Sequence, residues 1–504
     1  MGHEGSVNNG LMTTATLACV AVLAMASVLL GWQKGRGGGG GGGGRVQALI
    51  YEFQHRCALP LHLLRKISEA MTLEMTAGLT TEGGSSMPML PTFVEKMPTG
   101  NEKGVYYAVD LGGTNFRVLR VLLGGREKRV MKQEFEEVAI PHPLMVGTSV
   151  ELYDFIAKKL TDFVSRESSE FSTHAAAGAR ELGLTFSFPI SQHSINSGLL
   201  IMWTKGFTIA DGVGQDVVQA LQQAMNRQNG PKLRVAALVN DTVGTMAGGR
   251  YFDPDVMIGI ILGTGTNACY FEHAHNVHKL QNGKPLPKTG SMVYNMEWGA
   301  FWSSHIPTTH VDEQLDAESV NPGQQLYEKM IGGMYLGDIV RRMLLKLARE
   351  ASLFSGEVPQ QLMTPFVLGT PEVSKMHADE SNDLRVVAKT LAKIGIHRTY
   401  LHTRRAVHDI CDIVALRSAR LAAAGITGIL RKIGRDGKNG EYTRTVIAMD
   451  GGLYEHYAKF RIYIQAALTE LLGEEAVKYV VLEIFKDGSG IGATLLAACH
   501  SQHG

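Results

Sequence analysis

An α/β protein of two similar halves facing a shared cleft is what this sequence predicts, and three observations carry that expectation. Apolar β-rich runs alternate with amphipathic helical runs along most of the chain, the pattern of layered strands and helices. Two strand–glycine loop–strand units recur, Asp110-Leu-Gly112-Gly113-Thr114-Asn115-Phe-Arg117 and Leu262-Gly263-Thr264-Gly265-Thr266-Asn267. A third glycine-rich stretch, Asp487-Gly488-Ser489-Gly490-Ile-Gly492, runs instead into an apolar helical segment.

From the N-terminus, residues 1–10 read as a polar tail without Lys or Arg, and residues 11–31 as an apolar stretch without a charged residue. That stretch is long enough to cross a hydrocarbon core of roughly 30 Å as a helix. Lys34, Arg36 and Arg45 follow it, so the positive-inside bias puts the C-terminal body in the cytosol. The absence of a basic leader argues against a cleaved signal peptide, and the lack of an Arg- and Ser-rich pattern argues against a transit peptide. An uncleaved membrane anchor is expected. Residues 32–45 contain eight consecutive glycines, Gly37 to Gly44, and read as a flexible linker.

In the body, Val105–Val109 and Val118–Leu123 are expected strands flanking the first glycine loop. Ser149 is expected to cap a helix with Leu152, Phe155, Ile156, Leu160 and Phe163 on one face. Val235–Val239 and Val256–Leu262 read as buried strands, and Ile339–Ala351 and Val407–Gly425 as long helices. At 504 residues with 44% hydrophobic and 19% charged, the chain can bury large cores and is not a disordered protein. Lys and Arg (49) balance Asp and Glu (48), so no global field draws it to nucleic acid. Five scattered cysteines without a C-x-x-C pair exclude a disulfide framework or a cysteine-built zinc site.

Glycine loops let backbone N–H groups approach phosphate oxygens. Thr114, Thr264 and Thr266 can add hydroxyl donors, Asp110 can hold Mg²⁺ through water, and Arg117 can neutralise developing phosphoryl charge. No G-x-x-x-x-G-K-[ST] string is present. Gly263-x-Gly265-x-x-Ala268 formally matches a dinucleotide fingerprint, but the next residues read as strand and Gln281-Asn282-Gly283-Lys284 fills the acidic slot, so that reading fails. Asp241, within Asn240-Asp241-Thr242, stands at a strand's C-terminal end, where it can accept a proton from a substrate hydroxyl. Asp241 or Thr242 can equally cap the helix that follows. Phe186-Ser187-Phe188-Pro189, Trp203-Thr204-Lys205-Gly206-Phe207, Asn295-Met-Glu297-Trp298-Gly299 and Tyr327-Glu328 mix aromatics with polar groups suited to a polyhydroxylated ligand. His273-x-His275-x-x-His278 lacks a convincing fourth ligand and reads as a polar loop.

Together these strings resemble the eukaryotic hexokinase family, especially plant-type hexokinases with an N-terminal membrane anchor. The resemblance runs from Arg45 to the C-terminus. It rests on DLGGTNFRV at 110–118, LTFSFP at 184–189, WTKGF at 203–207, NDTVGT at 240–245, LGTGTNACY at 262–270, NMEWGAF at 295–301, NPGQQLYEKMIGGMYLG at 321–337 and DGSGIGA at 487–493. It implies a two-domain actin-like ATPase (ribonuclease H-like) fold with an interdomain cleft, plus the N-terminal transmembrane helix. The implied parts are residues 46–97 in the large domain, 98–238 as the small domain, 239–489 as the large domain, and 490–504 as a helix returning to the small domain.

By the family pattern, glucose is held by Ser187, Thr204, Lys205, Asn240, Asp241, Asn267, Glu297 and Glu328. Asp241 is the general base on the 6-hydroxyl, with Lys205 and Arg117 as further catalytic groups. ATP and Mg²⁺ are met by Asp110, Gly112, Gly113, Thr114 and Asn115, by Gly263 and Thr264, and by Gly451, Gly452, Gly488 and Ser489; Asp110 holds the Mg²⁺ through water. Ser191 and His193 stand where many plant relatives carry Lys and Thr, and Gly452 where animal relatives often carry Ser. The implied function is ATP-dependent phosphorylation of glucose, fructose and other hexoses feeding glycolysis, with an additional glucose-sensing role open. A sugar sensor without turnover and an actin- or chaperone-like ATPase are the rival readings. The expected partners are hexoses and a membrane, not nucleic acid, and the expected state is a monomer. The expected location is the mitochondrial outer membrane, with the plastid envelope as the alternative.

Overall fold

The computed structural model describes residues 42–172, 180–203, 206–280, 287–438, 440–486 and 488–501. The expected anchor at 11–31, its tail and the first part of the linker lie outside the described residues, as do Thr204, Lys205 and Asp487.

The strands are β1 (Leu90–Pro91), β2 (Lys103–Leu111), β3 (Asn115–Gly124), β4 (Val130–Ala139), β5 (Arg180–Phe186), β6 (Ile190–Ser194), β7 (Ser197–Leu200), β8 (Leu233–Val239), β9 (Val256–Leu262), β10 (Thr266–His273), β11 (Ser291–Asn295), β12 (Thr445–Asp450) and β13 (Val480–Ile484). They form two mixed sheets, ordered β4-β3-β2-β5-β8 and β1-β11-β10-β9-β12-β13, and a separate β6-β7 hairpin. The two sheets share one plan. An antiparallel hairpin, β2–β3 or β9–β10, carries a glycine loop at its turn, and parallel strands extend the sheet from its first strand. The parallel strands β5, β8 and β12 are buried nearly throughout, as strands covered on both faces are.

Helices α1 (Gly42–Cys57), α2 (Leu61–Thr80), α3 (Ser149–Ser165), α4 (Val217–Arg227), α5 (Asp241–Phe252), α6 (Leu326–Ile331), α7 (Gly333–Ala351), α8 (Thr370–His377), α9 (Leu401–Lys432), α10 (Gly452–His456), α11 (Ala458–Leu472) and α12 (Gly488–Cys499) cover the sheets. Three cores follow. Leu152, Ile156 and Leu160 of α3 and Leu221 of α4 pack on Val109, Leu122 and Leu184 of the first sheet. The largest core joins α1, α2, α7, α9 and α11 to Ile258, Ile260 and Met449 of the second sheet. Between the sheets, Val243, Met246 and Ala247 of α5 and Ala493 and Leu496 of α12 pack against Ala108 and Val239 on one side and Val256 and Ala448 on the other. The two sheets therefore face one another across a crossed helix pair.

Local details depart from the sequence expectations. Thr148, not Ser149, caps α3: its side chain accepts from Glu151 N while Glu151 Oε2 accepts from Thr148 N at 2.9 Å, a capping box. Ser149 sits one residue inside, and its hydroxyl donates to Asp211 Oδ2 at 2.8 Å. α1 begins at Gly42, inside the expected linker, because buried Val46, Leu49, Ile50 and Phe53 supply the tertiary contact that a glycine turn lacks by itself. Helix α9 is apolar enough to cross a membrane, yet 94% of its apolar window is buried in the protein, which makes it a core helix.

Candidate active site

The C-terminal ends of β2, β5 and β8 lie side by side in parallel, and the first group of polar residues gathers there. Ser187 follows β5 directly, and its N–H donates to Leu111 O at 3.1 Å. Asn240 follows β8 and caps α5, its side chain accepting from Thr242 N at 3.0 Å. The cap expected on Asp241 or Thr242 therefore belongs to Asn240, whose extended backbone suits the N-cap position. Asp241 opens the first helical turn, half-buried. Its Oδ1 accepts from Thr242 N at 2.8 Å and its Oδ2 receives a long bond from Ser187 Oγ at 3.4 Å.

A chain of amides leads from Asn240 into the second sheet. Asn267 Nδ2 donates to Asn240 Oδ1 at 3.4 Å, to Asn295 Oδ1 at 2.8 Å and to Glu297 Oε1 at 3.2 Å. Asn295 Nδ2 also donates to Glu297 Oε1, at 2.8 Å. Glu328, on α6, accepts from Thr266 N through Oε2 at 2.9 Å. Two of these groups sit on or beside strained backbone: Glu297 has φ 54° and ψ 48°, and Gln325, just before α6, has φ 53° and ψ 39°. Left-handed backbone in a non-glycine residue costs about 1–3 kcal/mol and collects at functional sites.

The neighbouring aromatics are scaffold instead of ligand walls. Trp298 and Tyr327 are fully buried in an edge-to-face pair. Phe186, Phe188 and Phe207 pack in the small core around Trp203. Thr266 was expected as a phosphate donor, but its buried hydroxyl donates to Ile261 O at 2.9 Å and accepts from Trp298 Nε1 at 2.9 Å. Its hydroxyl is spent inside the protein, while its N–H holds Glu328.

The first glycine loop lies next to the start of α12. Ser489 Oγ donates to Asp110 Oδ2 at 2.9 Å. A Cβ at Gly112 would meet nothing within 4 Å, so this turn faces open space. Arg117 and Asn115 both reach Glu137 on β4, Arg117 Nε at 3.9 Å and Asn115 Nδ2 at 2.7 Å. The second loop rests on the start of α7: Gly333 N donates to Gly263 O at 2.8 Å and Met334 N to Thr264 O at 2.9 Å. Thr370 Oγ1, at the start of α8, donates to Gly333 O at 2.5 Å. Gly451 is required where it stands, with φ +104° and a would-be Cβ 2.5 Å from the Leu262 carbonyl. Gly452 opens α10 beside it.

Gln325, Gly333 and Thr370 were not singled out by sequence reasoning, and Asn295 was named only within the Asn295–Gly299 string, without a role of its own. A cavity of about 650 Å³ lined by Met97, Arg126, Arg129, Arg250 and Tyr251 among others includes none of the groups above.

Two family models, both described as hexokinase, match residues 49–251 and 257–499. The chain belongs to the hexokinase family. This hexokinase is 57% identical over 461 residues to Hexokinase-2 of Oryza sativa subsp. japonica, covering 91% of this chain and 92% of that one. It is 54% identical over 491 residues to Hexokinase-1 of Spinacia oleracea, covering 97% of each. A solved hexokinase from Schistosoma mansoni, complexed with glucose, matches with a TM-score of 0.77 at 33% identity, over 90% of this chain and 99% of that one. As a hexokinase, the protein transfers a phosphoryl group from ATP to a hexose, and enzymes of this family work with a divalent metal, generally Mg²⁺.

Proposed function

We propose that glucose lies between Ser187 and the group formed by Asn240, Asn267, Glu297 and Glu328, with Asp241 as the general base on its 6-hydroxyl. One observation carries this reading: Ser187 reaches the Asp241 carboxylate from the end of one sheet, while the amide chain from Asn240 ends on Glu297 of the other. Half-buried carboxylates with fixed amide neighbours suit a ligand that offers many hydroxyls. Thr204 and Lys205 join the group on the strength of the WTKGF motif alone.

Asp241 takes the 6-hydroxyl proton as the sugar oxygen attacks the γ-phosphorus. The bond from phosphorus to the ADP oxygen breaks, and hexose 6-phosphate and ADP leave. Asp110, with Gly112, Gly113, Thr114 and Asn115, faces the nucleotide phosphates. Gly263, Thr264, Gly451, Gly452, Gly488 and Ser489 face them from the other loops. Asp110, already accepting from Ser489 beside the open turn at Gly112, suits a water-bridged Mg²⁺, which supplies charge neutralisation when bound. Arg117 lies one strand over, directly paired with Asp110 in the β2–β3 register, and adds positive charge near the phosphates. Fructose and other hexoses with a free 6-hydroxyl meet the same base.

Formation of hexose 6-phosphate by the full chain with Mg-ATP and glucose, beside Asp241→Ala, tests the assignment. The variant should lose about 10²–10⁴-fold in turnover while still binding glucose. Near-normal turnover in the variant overturns Asp241 as the base. Glucose binding without turnover in the parent chain makes it a sensor.

We further propose, from the apolar run at 11–31 and the cations after it, an N-terminal anchor with the body in the cytosol, at the mitochondrial outer membrane or alternatively the plastid envelope. Full-length protein found wholly in the soluble fraction of cells defeats that reading.

A further inference from the structure

We infer that Asn295 is a positioning residue for hexose binding: its side-chain amide fixes the Glu297 carboxylate against Asn267. The inference rests on Glu297 being a hexose ligand.

Asn295 is the last residue of β11, and its backbone is paired on both sides, with Cys269 on β10 and Leu90 on β1. Its side chain starts from a rigid platform, and the residue is only 6% exposed. The polarity of its two bonds is defined. Oδ1 accepts from Asn267 Nδ2 at 2.8 Å, and Nδ2 donates to Glu297 Oε1 at 2.8 Å. Donation therefore runs one way, from Asn267 through Asn295 to Glu297, and ends on a carboxylate. Asn267 also donates to the same oxygen, at 3.2 Å, so two amides converge on Oε1 and set the plane of the carboxylate. The Glu297 backbone is left-handed at φ 54° and ψ 48°, so hydrogen bonds must hold its side chain without help from a relaxed main chain.

An amide accepts from one neighbour through its oxygen and donates to the other through its nitrogen, two atoms held apart in one planar group. An Asp at 295 keeps the shape and the acceptor but loses the donor, and it places a second carboxylate against Glu297. Two carboxylates at that separation cannot both be charged without large repulsion, so they come to share a proton at lower pH. The shared proton restores a donor toward Glu297.

The test is steady-state kinetics of the full-length chain with glucose and Mg-ATP from about pH 5.5 to about pH 8.5, on Asn295→Asp, Asn295→Ser and Glu297→Gln. A hydrogen bond to a charged group contributes about 1.5–3 kcal/mol, so the glucose KM of Asn295→Asp should rise about 10- to 100-fold near pH 8. Its KM for ATP should stay within about twofold of the parent. The glucose KM of this variant should fall again toward pH 5.5, a pH dependence that a merely structural defect would not produce. Asn295→Ser, too short to bridge both neighbours, should raise the glucose KM at every pH, and it decides the matter if the acidic variant does not fold. A glucose KM within about twofold of the parent in whichever of the two variants folds overturns the inference. So does a raised KM in Asn295→Asp that is flat with pH. If Glu297→Gln also leaves the glucose KM unchanged, the assignment of Glu297 has failed. If Glu297→Gln raises it and the Asn295 variants do not, only the role of Asn295 has failed.

Discussion

A side chain on Gly492 would begin 1.8 Å from the carbonyl oxygen of Gly244, so α12 and α5 cross with backbone against backbone. α5 carries Asp241 in its first turn, and α12 carries Ser489, which donates to Asp110. The crossing thus joins Asp241 to the first glycine loop through two rigid elements buried between the sheets. Gly492→Ala should force the helices apart. Overpacking of this kind destabilises by about 1–3 kcal/mol, and turnover should fall with it. Thermal unfolding read beside turnover checks both, and an unchanged melting temperature would show that the helices part freely.

Gly265 permits a similar close approach at Glu328. A Cβ there would begin 2.6 Å from Glu328 Oε2, the oxygen that accepts from Thr266 N. The carboxylate is the tip of a flexible chain, so Gly265→Ala should fold and displace it. We expect the glucose KM to rise about tenfold, the scale of one lost hydrogen bond to a charged group, with the KM for ATP little changed. Equal increases in both would point to damage of the whole loop.

Ser489→Ala removes the hydroxyl that donates to Asp110 Oδ2. The Mg²⁺ concentration for half-maximal turnover should rise several-fold, on the order of one such bond, while glucose binding stays put. Chelation of divalent metal should stop the parent enzyme, and added Mg²⁺ should restore it. A Mg²⁺ curve in the variant that overlays the parent's removes Asp110 from the metal site.

Stability depends on a buried pair apart from the groups named above. Asp312 accepts from both Nη atoms of Arg417 at 2.7 Å, and both side chains are buried. Burial pushes the Asp312 carboxyl up, but the Arg417 charge and the bonds from Arg417 and Thr309 outweigh it and hold the carboxyl below its ordinary value. Its folded value is the depressed one, so its contribution is present above the ordinary carboxylate range and is lost as pH falls through the folded value. Asp312→Ala strands the Arg417 charge and should cost about 3–5 kcal/mol near neutral pH. The gap between parent and variant in chemical denaturation should close in strong acid, and a gap constant with pH would mean that the carboxylate charge contributes nothing.

Much of this protein was legible along the chain. Alternating strand and helix patterns and two glycine turns read out the repeated sheet plan, because period and turn chemistry are local properties of a few neighbouring residues. The same holds for Asn240 and Asp241, which stand at the end of a visibly buried strand, and for the motif strings that mark the family. The helix cap on α3 was misplaced by one residue, since Thr148 and Ser149 differ too little locally and the reciprocal bonds with Glu151 decide between them. Thr266 looked like a phosphate donor in the loop, and only the packing of Trp298 behind it shows that its hydroxyl faces inward.

Asn295 stood only within the Asn295–Gly299 string, with no role of its own, and Thr370 carried no local signal at all. Each matters through a partner brought to it by sheet pairing or by a distant helix, Asn267 for the one and Gly333 for the other. The left-handed turns at Glu297 and Gln325 are likewise invisible in residue type, because only the surrounding packing makes such strain sustainable. The sequence alone determined the element types and the family, and it named the candidate carboxylates and glycines. Tertiary structure decided which amides aim those carboxylates and which helices bind the two loops together, because hydrogen-bond direction and backbone contact exist only once distant segments share a few ångströms of space.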